Sequence, residues 1–360
     1  MRVLMITQKV ADADLRLGFV AGWVRALAAR VARLTVICQE YGPTRLPANV
    51  AVISLGKERG QGRAEQLAAF YQAARRAVPR SDVIFCHMIP RYAWLIAPLA
   101  RWYRVPAALW YTHRSASAEL RLAAALVDRV VTAAPDSFPL PGAKVAAIGH
   151  GIDADLFSPA DPPAEATPPQ VVMAARLSPS KYHRTMIQAA ARLHARNELG
   201  GATFVIVGDE PAESPGYRAG LEAEIARLGL TDCFSFAGAA PYAAMPGHYR
   251  RAAAALNLSQ PGHFDKAALE AMLCARPVIV ANPAYADLLG AHAGALLIDG
   301  PEDAEGLAAR LAALLAAGPA SRARIGMDLY RAARAAHSLD GLMDRLAAIL
   351  SEMSRISRQG

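Results

Sequence analysis

The sequence has few of the features of secreted, metal-binding or membrane-spanning proteins. Its 360 residues include four cysteines, with no Cys-x-x-Cys pair and no cluster with histidine. This argues against a disulfide scaffold or a zinc site and favours a reducing compartment. The longest apolar run of the first half, residues 93–100, is far shorter than the ~20 residues that span a bilayer. The start shows no signal-peptide pattern, so we expect a cytoplasmic protein. No cluster with metal-ligand spacing stands out, so we expect no metal-dependent chemistry.

Hydrophobic residues make up 54% of the chain and charged residues 19%, which excludes a disordered protein. The charge is unevenly placed: residues 1–150 carry 20 Lys and Arg against 9 Asp and Glu, whereas residues 151–360 carry 19 against 22. An anionic partner of the first half explains this asymmetry, and arginines on solvated faces explain it equally well. The chain lacks the patterns of nucleic-acid-binding modules, so we expect no nucleic acid as a partner.

Short apolar runs alternate with helical patterns along nearly the whole chain. The runs are continuously apolar, which is typical of strands buried on both faces of a parallel sheet. Residues 158–169 hold five prolines and interrupt the pattern. We predict an α/β protein with two Rossmann-like, doubly wound parallel-sheet domains facing a cleft. Residues 1–157 and 170–335 form the domains, 158–169 the linker, and 336–360 a C-terminal helix that packs back on the first domain.

The expected strands follow from these runs. In the first domain they are residues 3–6, 34–38, 52–54, 83–86, 107–110 and 129–132. In the second domain they are residues 171–174, 203–207, 233–236, 254–258, 277–280 and 295–298. Ligands of such sheets bind outside the carboxyl ends of the strands, beside helix N-termini.

Several residues of the second domain fall at that edge. Arg176 and Lys181 lie across the turn after its first strand, where the Arg fork and the Lys charge suit a diphosphate; solvated loop cations would look the same. Gly208 follows the second strand in a tight turn. A helix opens near Asp265, and its first amides suit an anion. Glu270, one turn on, is a candidate acceptor for ribose hydroxyls or a solvated carboxylate.

The first domain has no GxGxxG fingerprint, which counts against an NAD or FAD enzyme. Its first loop instead carries Gly18 directly before a predicted helix, where the backbone could approach a phosphate or where glycine is an ordinary loop residue. His87 ends one predicted strand and His113 follows another. Each is a candidate site residue or a half-buried structural histidine.

Several short segments form a recognisable series along the chain. They are Ile148-Gly-His-Gly-Ile-Asp153 with Phe157, Ala174-Ala-Arg-Leu-Ser-Pro-Ser-Lys181, Val205-Ile-Val-Gly-Asp209, Phe236-Ala-Gly238, Leu269-Glu-Ala-Met272 and Cys274-Ala-Arg-Pro-Val278. Taken in order, they resemble the retaining GT-B glycosyltransferases of family 4, the glycosyl transferases group 1. The opening, Ile6-Thr-Gln-Lys9 with Leu17-Gly-Phe19 and Trp23, is similar to a bacterial surface-polysaccharide branch of that family.

The resemblance implies metal-independent hexosyl transfer, with retention, from a UDP- or GDP-sugar to a glycan or lipid-linked anionic acceptor of surface polysaccharide synthesis. It implies that Arg176 and Lys181 hold the donor diphosphate and that Glu270 binds the ribose. Gly18 would approach the diphosphate, and His113 would lie near the anomeric carbon. The basic first domain would bind the acceptor and contact the cytoplasmic face of the inner membrane through Arg59, Arg63, Arg75, Arg76 and Arg80.

The donor-binding set implied by the resemblance also includes Gly208, Gly238, Gly262, Phe264, Asp265 and Lys266. The chain departs from the family at Gly262, where the family's E-x7-E motif has its first Glu. Asp265 could take over the sugar contacts of that Glu, and the departure leaves the donor sugar open. The alternatives are a non-catalytic GT-B protein that binds a nucleotide sugar or glycan, and a nucleotide-sugar epimerase.

Overall fold

The structure is a computed structural model that describes residues 1–12, 14, 17–113, 115–140, 142, 144–161, 165–261 and 264–359. The chain divides into two compact units. The first unit combines Met1–Asp153 with Ser338–Gly360, and the second is Ala154–His337. Both units are α/β, as the alternation of apolar runs and helical patterns predicts.

The first unit is built on a seven-stranded parallel sheet of order β3-β2-β1-β4-β5-β6-β7. Its central strands are buried on both faces, which explains their continuous apolar runs. The strands are β1 Arg2–Val10, β2 Arg33–Tyr41, β3 Val50–Ser54, β4 Val83–His87, β5 Ala107–Trp110, β6 Arg129–Thr132 and β7 Val145–Ala147. The first four helices are α1 Phe19–Ala28, α2 Arg63–Ala77, α3 Pro90–Trp102 and α4 Ala118–Leu126.

The second unit has a five-stranded parallel sheet of order β10-β9-β8-β11-β12. Its strands are β8 Gln170–Ala174, β9 Thr203–Val207, β10 Phe234–Gly238, β11 Ala254–Asn257 and β12 Val278–Val280. Its helices are α5 His183–Ala195, α6 Tyr217–Arg227, α7 Met245–Arg251, α8 Lys266–Leu273, α9 Ala286–Leu289, α10 Ala293–Leu296, α11 Ala304–Ala316 and α12 Gly318–His337.

Two details of the sheets differ from the sequence-based expectation. The strand expected at 295–298 is wrong, because α10 occupies its first two residues and Leu297 makes only an isolated bridge to Val280. The sequence pattern of a short apolar run does not distinguish a buried strand from a buried helical turn. Strand β7 was not predicted; its three residues are partly exposed and carry little hydrophobic signal.

The described part of the Pro-rich stretch is tied to the second unit. The Ala166 amide donates to the Arg251 carbonyl at 2.9 Å. The Glu165 carboxylate accepts from Arg322 at 2.7 Å and lies 3.5 Å from the Arg276 guanidinium. Both arginine side chains are 3% exposed, so this carboxylate neutralises buried charge. Residues 165 and 166 of this stretch are therefore bonded to the second unit.

The C-terminal helix α13, Leu339–Gln359, packs within the first unit against α1 and β4. Leu342, Met343, Leu346 and Leu350 lie in that unit's core. A Cβ on Gly151 would come within 2.6 Å of Leu342 Cδ2, so glycine permits this close approach. Within the described residues, no helix combines the length and the hydrophobicity that crossing a bilayer requires.

Candidate functional site

The predicted site residues of the second unit collect at the carboxyl edge of its sheet. Arg176 follows β8, Gly208 follows β9, and Gly238 ends β10. Helix α8 begins at Lys266, a few residues after β11. Because β10, β9, β8 and β11 are consecutive neighbours in the sheet, these segments form one continuous edge. This is the part of a doubly wound sheet where ligands bind.

Gly208 lets the backbone segments of this edge approach closely. Gly208 has a φ of +150°, and a Cβ there would lie 2.1 Å from the Ala175 carbonyl oxygen. Its amide donates to the Gly238 carbonyl at 2.8 Å. The Leu177 amide donates to the Asp209 carbonyl at 3.0 Å, which joins the turns after β8 and β9. Any side chain at position 208 would force these turns apart.

The two predicted diphosphate-binding cations differ in their surroundings. Lys181 Nζ lies 2.5 Å from Asp265 Oδ2, and the two side chains are 19% and 27% exposed. Arg176 is exposed, and its guanidinium has no side-chain partner among the described residues. The ion pair fixes the position of the lysine ammonium, whose remaining protons can still bind an anion. The guanidinium of Arg176 can use all its N–H groups to bind an anion, including in a bidentate manner.

Lys266 and Glu270 lie one turn apart on α8. The Glu270 side chain is 7% exposed, and Tyr249 donates its hydroxyl to Glu270 Oε2 at 3.4 Å. Burial raises the pKa of Glu270 and lowers the pKa of Lys266, and each charge partly offsets the shift of the other. Glu270 is thus a buried carboxyl with a raised pKa, and not the solvated carboxylate that the sequence left open.

An aromatic stack supports the start of α8. The Phe264 ring stacks on Tyr285 with centroids 4.4 Å apart, and His337 lies at 5.2 Å from it. The Tyr285 hydroxyl donates to the Asp265 carbonyl at 2.7 Å. These contacts hold the backbone at the residue before α8. The Gly262 prediction lies outside the described residues.

The predicted residues of the first unit have local partners. Gly18 precedes α1, its amide donates to the Asp14 carbonyl at 3.1 Å, and a Cβ on it would lie 2.7 Å from that oxygen. His113 is exposed, and its Nδ1 accepts the Ser115 amide at 3.0 Å. His87 is buried, with Nδ1 3.1 Å from the Thr7 hydroxyl and its ring 4.6 Å from that of Trp23. His87 therefore belongs to the core.

Sequence reasoning missed three side chains around the second unit's edge. Tyr249 reaches Glu270 from α7, and Gln260 Nε2 donates to the Tyr182 hydroxyl. Tyr182 adopts a left-handed φ of +58° just before α5. No spacing pattern reveals these contacts, since they join segments far apart in the sequence. Among the residues described, no three His, Cys, Asp or Glu side chains are grouped to hold a metal ion.

The edge is suited chemically to a bound anion. It combines the exposed guanidinium of Arg176 and the ammonium of Lys181 with the N-terminus of α8, whose first amides carry a partial positive charge. Positive groups of this kind stabilise negative charge most where it develops during a reaction.

Residues 168–317 match the family model described as glycosyl transferases group 1. This segment runs from β8 through α11 and contains the edge just described. No curated protein sequence matches the chain.

Solved structures match nearly the whole chain. HepE from Anabaena in complex with UDP is 19% identical with a TM-score of 0.74, and the match covers 98% of this chain and 100% of that one. The same protein in complex with UDP-glucose is 19% identical with a TM-score of 0.72, at 98% and 100% coverage. Sucrose-phosphate synthase from Thermosynechococcus elongatus is 17% identical with a TM-score of 0.75, at 99% and 100% coverage. These likenesses show the fold.

Proposed function

We propose that this chain, which has the GT-B fold, is a metal-independent retaining glycosyltransferase. It transfers a hexosyl group from a nucleoside-diphosphate sugar to a glycan or lipid-linked acceptor in cell-surface polysaccharide synthesis. The second unit binds the donor and the first unit binds the acceptor. The observation that carries the proposal is the edge of Arg176, Lys181, Gly208 and α8, because it lies inside the segment that matches the family model.

The chemistry follows from the charges at this edge. Breaking a sugar–phosphate bond leaves a nucleoside diphosphate with additional negative charge. In this proposal Arg176 and Lys181, which follow β8, bind that diphosphate together with the first amides of α8, and the ion pair of Lys181 with Asp265 supports the role of the lysine. The ammonium of Lys181, which the ion pair with Asp265 holds in place, and the first amides of α8 need no reorganisation as the charge develops, so they lower the barrier itself. Retention then follows if the acceptor attacks from the face that the leaving phosphate vacates, with that phosphate taking the acceptor's proton.

Glu270 is the proposed ribose-binding residue. An ionised carboxylate can accept hydrogen bonds from both ribose hydroxyls, and the burial of Glu270 would strengthen them. Tyr249 orients the carboxylate from α7. Gly208 would hold the turns after β8 and β9 together beside the nucleotide, and Gly238, Phe264, Asp265 and Lys266 would contact the donor.

His113 is proposed near the anomeric carbon, and its exposure leaves it accessible to a sugar. Gly18 would approach the diphosphate through its Cα, because its amide is bonded to Asp14. UDP is the first donor nucleotide to test, since the similar Anabaena protein has been solved in complex with UDP and with UDP-glucose. GDP is the second.

Peripheral membrane contact is part of the proposal. Five exposed arginines lie on or beside α2, and each near an anionic surface contributes about 1 kcal/mol of attraction. They are Arg59, Arg63, Arg75, Arg76 and Arg80. We expect the protein to sediment with anionic liposomes and to remain in solution with neutral ones. Equal sedimentation with both would contradict membrane contact through this surface.

The first test is thermal shift with UDP, GDP, ADP and NAD on the wild type and on Glu270→Gln. A ligand at 100 times its dissociation constant adds about 2.7 kcal/mol to the free energy of unfolding. We expect one nucleoside diphosphate to raise the Tm of the wild type and the variant to lose most of this response. The control is Glu213→Gln, an exposed carboxylate of the same unit, which should respond like the wild type. A response to NAD alone would overturn the proposal.

The second test is turnover of the donor that binds. We expect glycosyl transfer to an acceptor in the presence of EDTA, and a product with the anomeric configuration of the donor by NMR. Donor binding without turnover would identify a nucleotide-sugar-binding protein. Conversion of the donor to its epimer without an acceptor would identify an epimerase. An inverted product would exclude retention while leaving glycosyl transfer in place.

A further inference from the structure

The first unit contains a cavity at the amino edge of its sheet, whereas the ligands of a doubly wound sheet bind at the carboxyl edge. Its volume is about 570 Å³, which is the size of a small-molecule site. It lies between the first residues of β1 and β2, the neighbouring strand β3, and the last turn of α2 with the residues that follow. The lining includes Arg2, Arg33, Thr35, Ala51, Arg76 and Arg80.

Four arginine side chains line this one cavity, and they come from three separate parts of the chain. Arg2 begins the unit's first strand and Arg33 begins its second, while Arg76 is in the last turn of α2 and Arg80 follows that helix. Arg2 has a carboxylate partner, since its Nη2 lies 2.7 Å from Asp82 Oδ1. Within the described chain, the other three guanidiniums have no carboxylate partner; Arg80 donates only to the Arg76 carbonyl, at 2.6 Å. The cavity therefore has an excess of positive charge.

Two of these arginines are also neighbours within the sheet. Arg2 and Arg33 are register partners in the parallel pairing of β1 with β2, so their side chains leave the same face of the sheet. Like charges on directly paired strand residues are destabilising. The helix dipole favours Arg76 at the end of α2, but a sheet has no comparable dipole to favour Arg33. Folding thus gives no reason for Arg33 beside Arg2, whereas a bound anion does.

The rest of the lining is neutral and mostly apolar. Ala51 on β3 and Ala77 on α2 both line the cavity, and their short side chains leave room between the sheet and the helix. Ile53 adds apolar surface, and Thr35 adds a hydroxyl. An inorganic phosphate ion would contact only the arginines and leave most of this volume unfilled. An anion that carries an organic group fits both parts of the lining.

We propose that this cavity binds a phosphate ester, with the phosphate between Arg33, Arg76 and Arg80 and the organic part against Ala51 and Ile53. A phosphate monoester carries about two negative charges at neutral pH, and guanidinium groups bind its oxygens in a bidentate manner. Two sources supply this chemistry, a soluble metabolite and the headgroup of an anionic phospholipid. The site is separate from the proposed transfer reaction, because none of these residues is assigned to the donor or to the reacting sugar.

The test is isothermal titration calorimetry at constant ionic strength with glycerol 3-phosphate, with dihexanoyl phosphatidate below its micelle concentration, and with inorganic phosphate. We expect at least one of the two esters to bind more tightly than inorganic phosphate. The ester that binds more tightly identifies the source. Tighter binding of the phosphatidate would also place the membrane contact proposed above at this end of α2.

Arg33→Gln should weaken binding of the tighter ester on the order of tenfold, because it removes a charge-assisted hydrogen bond. The matched control is Arg75→Gln. Arg75 is exposed and lies beside Arg76 in the last turn of α2, but it does not line the cavity, so this variant should bind like the wild type. Lys181→Met alters the candidate donor site of the second unit and should retain the binding, which separates the two anion sites.

The stability of the variant gives a second measurement. Without ester, Arg33→Gln should have the Tm of the wild type or a higher one at low salt, because it removes the repulsion from Arg2. A lower Tm would show that the Arg33 guanidinium stabilises the fold, and would overturn the argument for a ligand.

Three results of the titrations would each overturn the proposal. They are no binding of either ester, binding of inorganic phosphate as tight as that of both esters, and equal weakening by Arg33→Gln and Arg75→Gln. None of these measurements requires turnover of a sugar donor. The failure of this proposal is therefore distinguishable from the failure of the proposed glycosyltransferase function.

Discussion

Lys181 and Asp265 form an ion pair of 2.5 Å that joins the turn after β8 to the residue preceding α8. The pair links two elements of the candidate donor site that are 84 residues apart in the sequence. It also distinguishes the site's two cations, because Arg176 has no side-chain partner among the residues described. We infer that Asp265 holds the ammonium of Lys181 in position. The guanidinium of Arg176 can adjust its position to a bound diphosphate.

We predict that Lys181→Met lowers donor turnover by about a hundredfold or more, since one donor aimed at developing charge contributes ~3 kcal/mol to its stabilisation. Asp265→Asn should lower turnover less, because the ammonium remains but is no longer held in place. The effects of the two substitutions should be non-additive in the double variant, as for residues in direct contact. Steady-state kinetics with a saturating acceptor measures all three, with Arg227→Gln on the exposed face of α6 as the control. Fully additive losses would contradict the positioning role.

We predict that Glu165→Gln destabilises the second unit by about 3–5 kcal/mol, because it leaves the Arg276 and Arg322 guanidiniums buried without a counter-charge. The same change should loosen residues 165–169, since Glu165 bonds this end of the stretch to Arg322. Urea denaturation measures the first effect, and limited proteolysis with mapping of the cleavage sites measures the second. Glu213→Gln, on an exposed carboxylate, serves as the control. Unchanged stability with unchanged proteolysis would mean that the ion pairs do not hold this segment.

We predict that the protein loses stability as the pH falls from about 6.5 to about 4, and that His183 contributes to the loss. Burial, with a smaller effect from the charge of Lys181, lowers the pKa of His183 from 6.5 to about 4. Between these values the unfolded chain binds a proton that the folded chain does not, so stability is present above the range and lost below it. The loss is about 3 kcal/mol.

The measurement is the free energy of unfolding at pH 7 and pH 4.5 for the wild type and for His183→Phe. The variant should show a shallower dependence on pH. His194→Phe removes an exposed histidine of the same helix and should retain the dependence of the wild type. Parallel pH profiles for the wild type and His183→Phe would show that His183 is not responsible.

We predict that only one of the four free cysteines reacts quickly with iodoacetamide in the folded protein. Burial raises the pKa of Cys38, Cys86 and Cys274 to about 12, so their thiolates are scarce as well as inaccessible. Cys233 is partly exposed. Mass spectrometry after labelling at pH 8 should find modification at Cys233, and Cys233→Ser should label only on unfolding. Fast labelling of any buried cysteine would indicate local opening of the structure around it.

Much of the fold was predictable because it depends on local patterns. The buried strands were found from their apolar runs, and the helices between them from their periodicity. The prediction failed at residues 295–298, where a run of four apolar residues fits a helical turn and a strand equally, and only packing chooses α10. At the candidate site, the positions of Arg176 and Gly208 at the carboxyl edge of the sheet were predictable because both residues directly follow strands. The contact of Tyr249 with Glu270 was not predictable, because no sequence pattern around Tyr249 indicates this hydrogen bond.

The sequence by itself determined the α/β class, the two sheets and the edge at which polar residues gather. These depend on which residues are apolar and how they are spaced, and that information is local. The tertiary structure decided which charges meet: Lys181 with Asp265, Glu165 with two buried arginines, and Arg33 with no carboxylate partner in the described chain. Such pairs join distant segments whose separation is set by packing, so the position of each residue along the chain cannot reveal its partner.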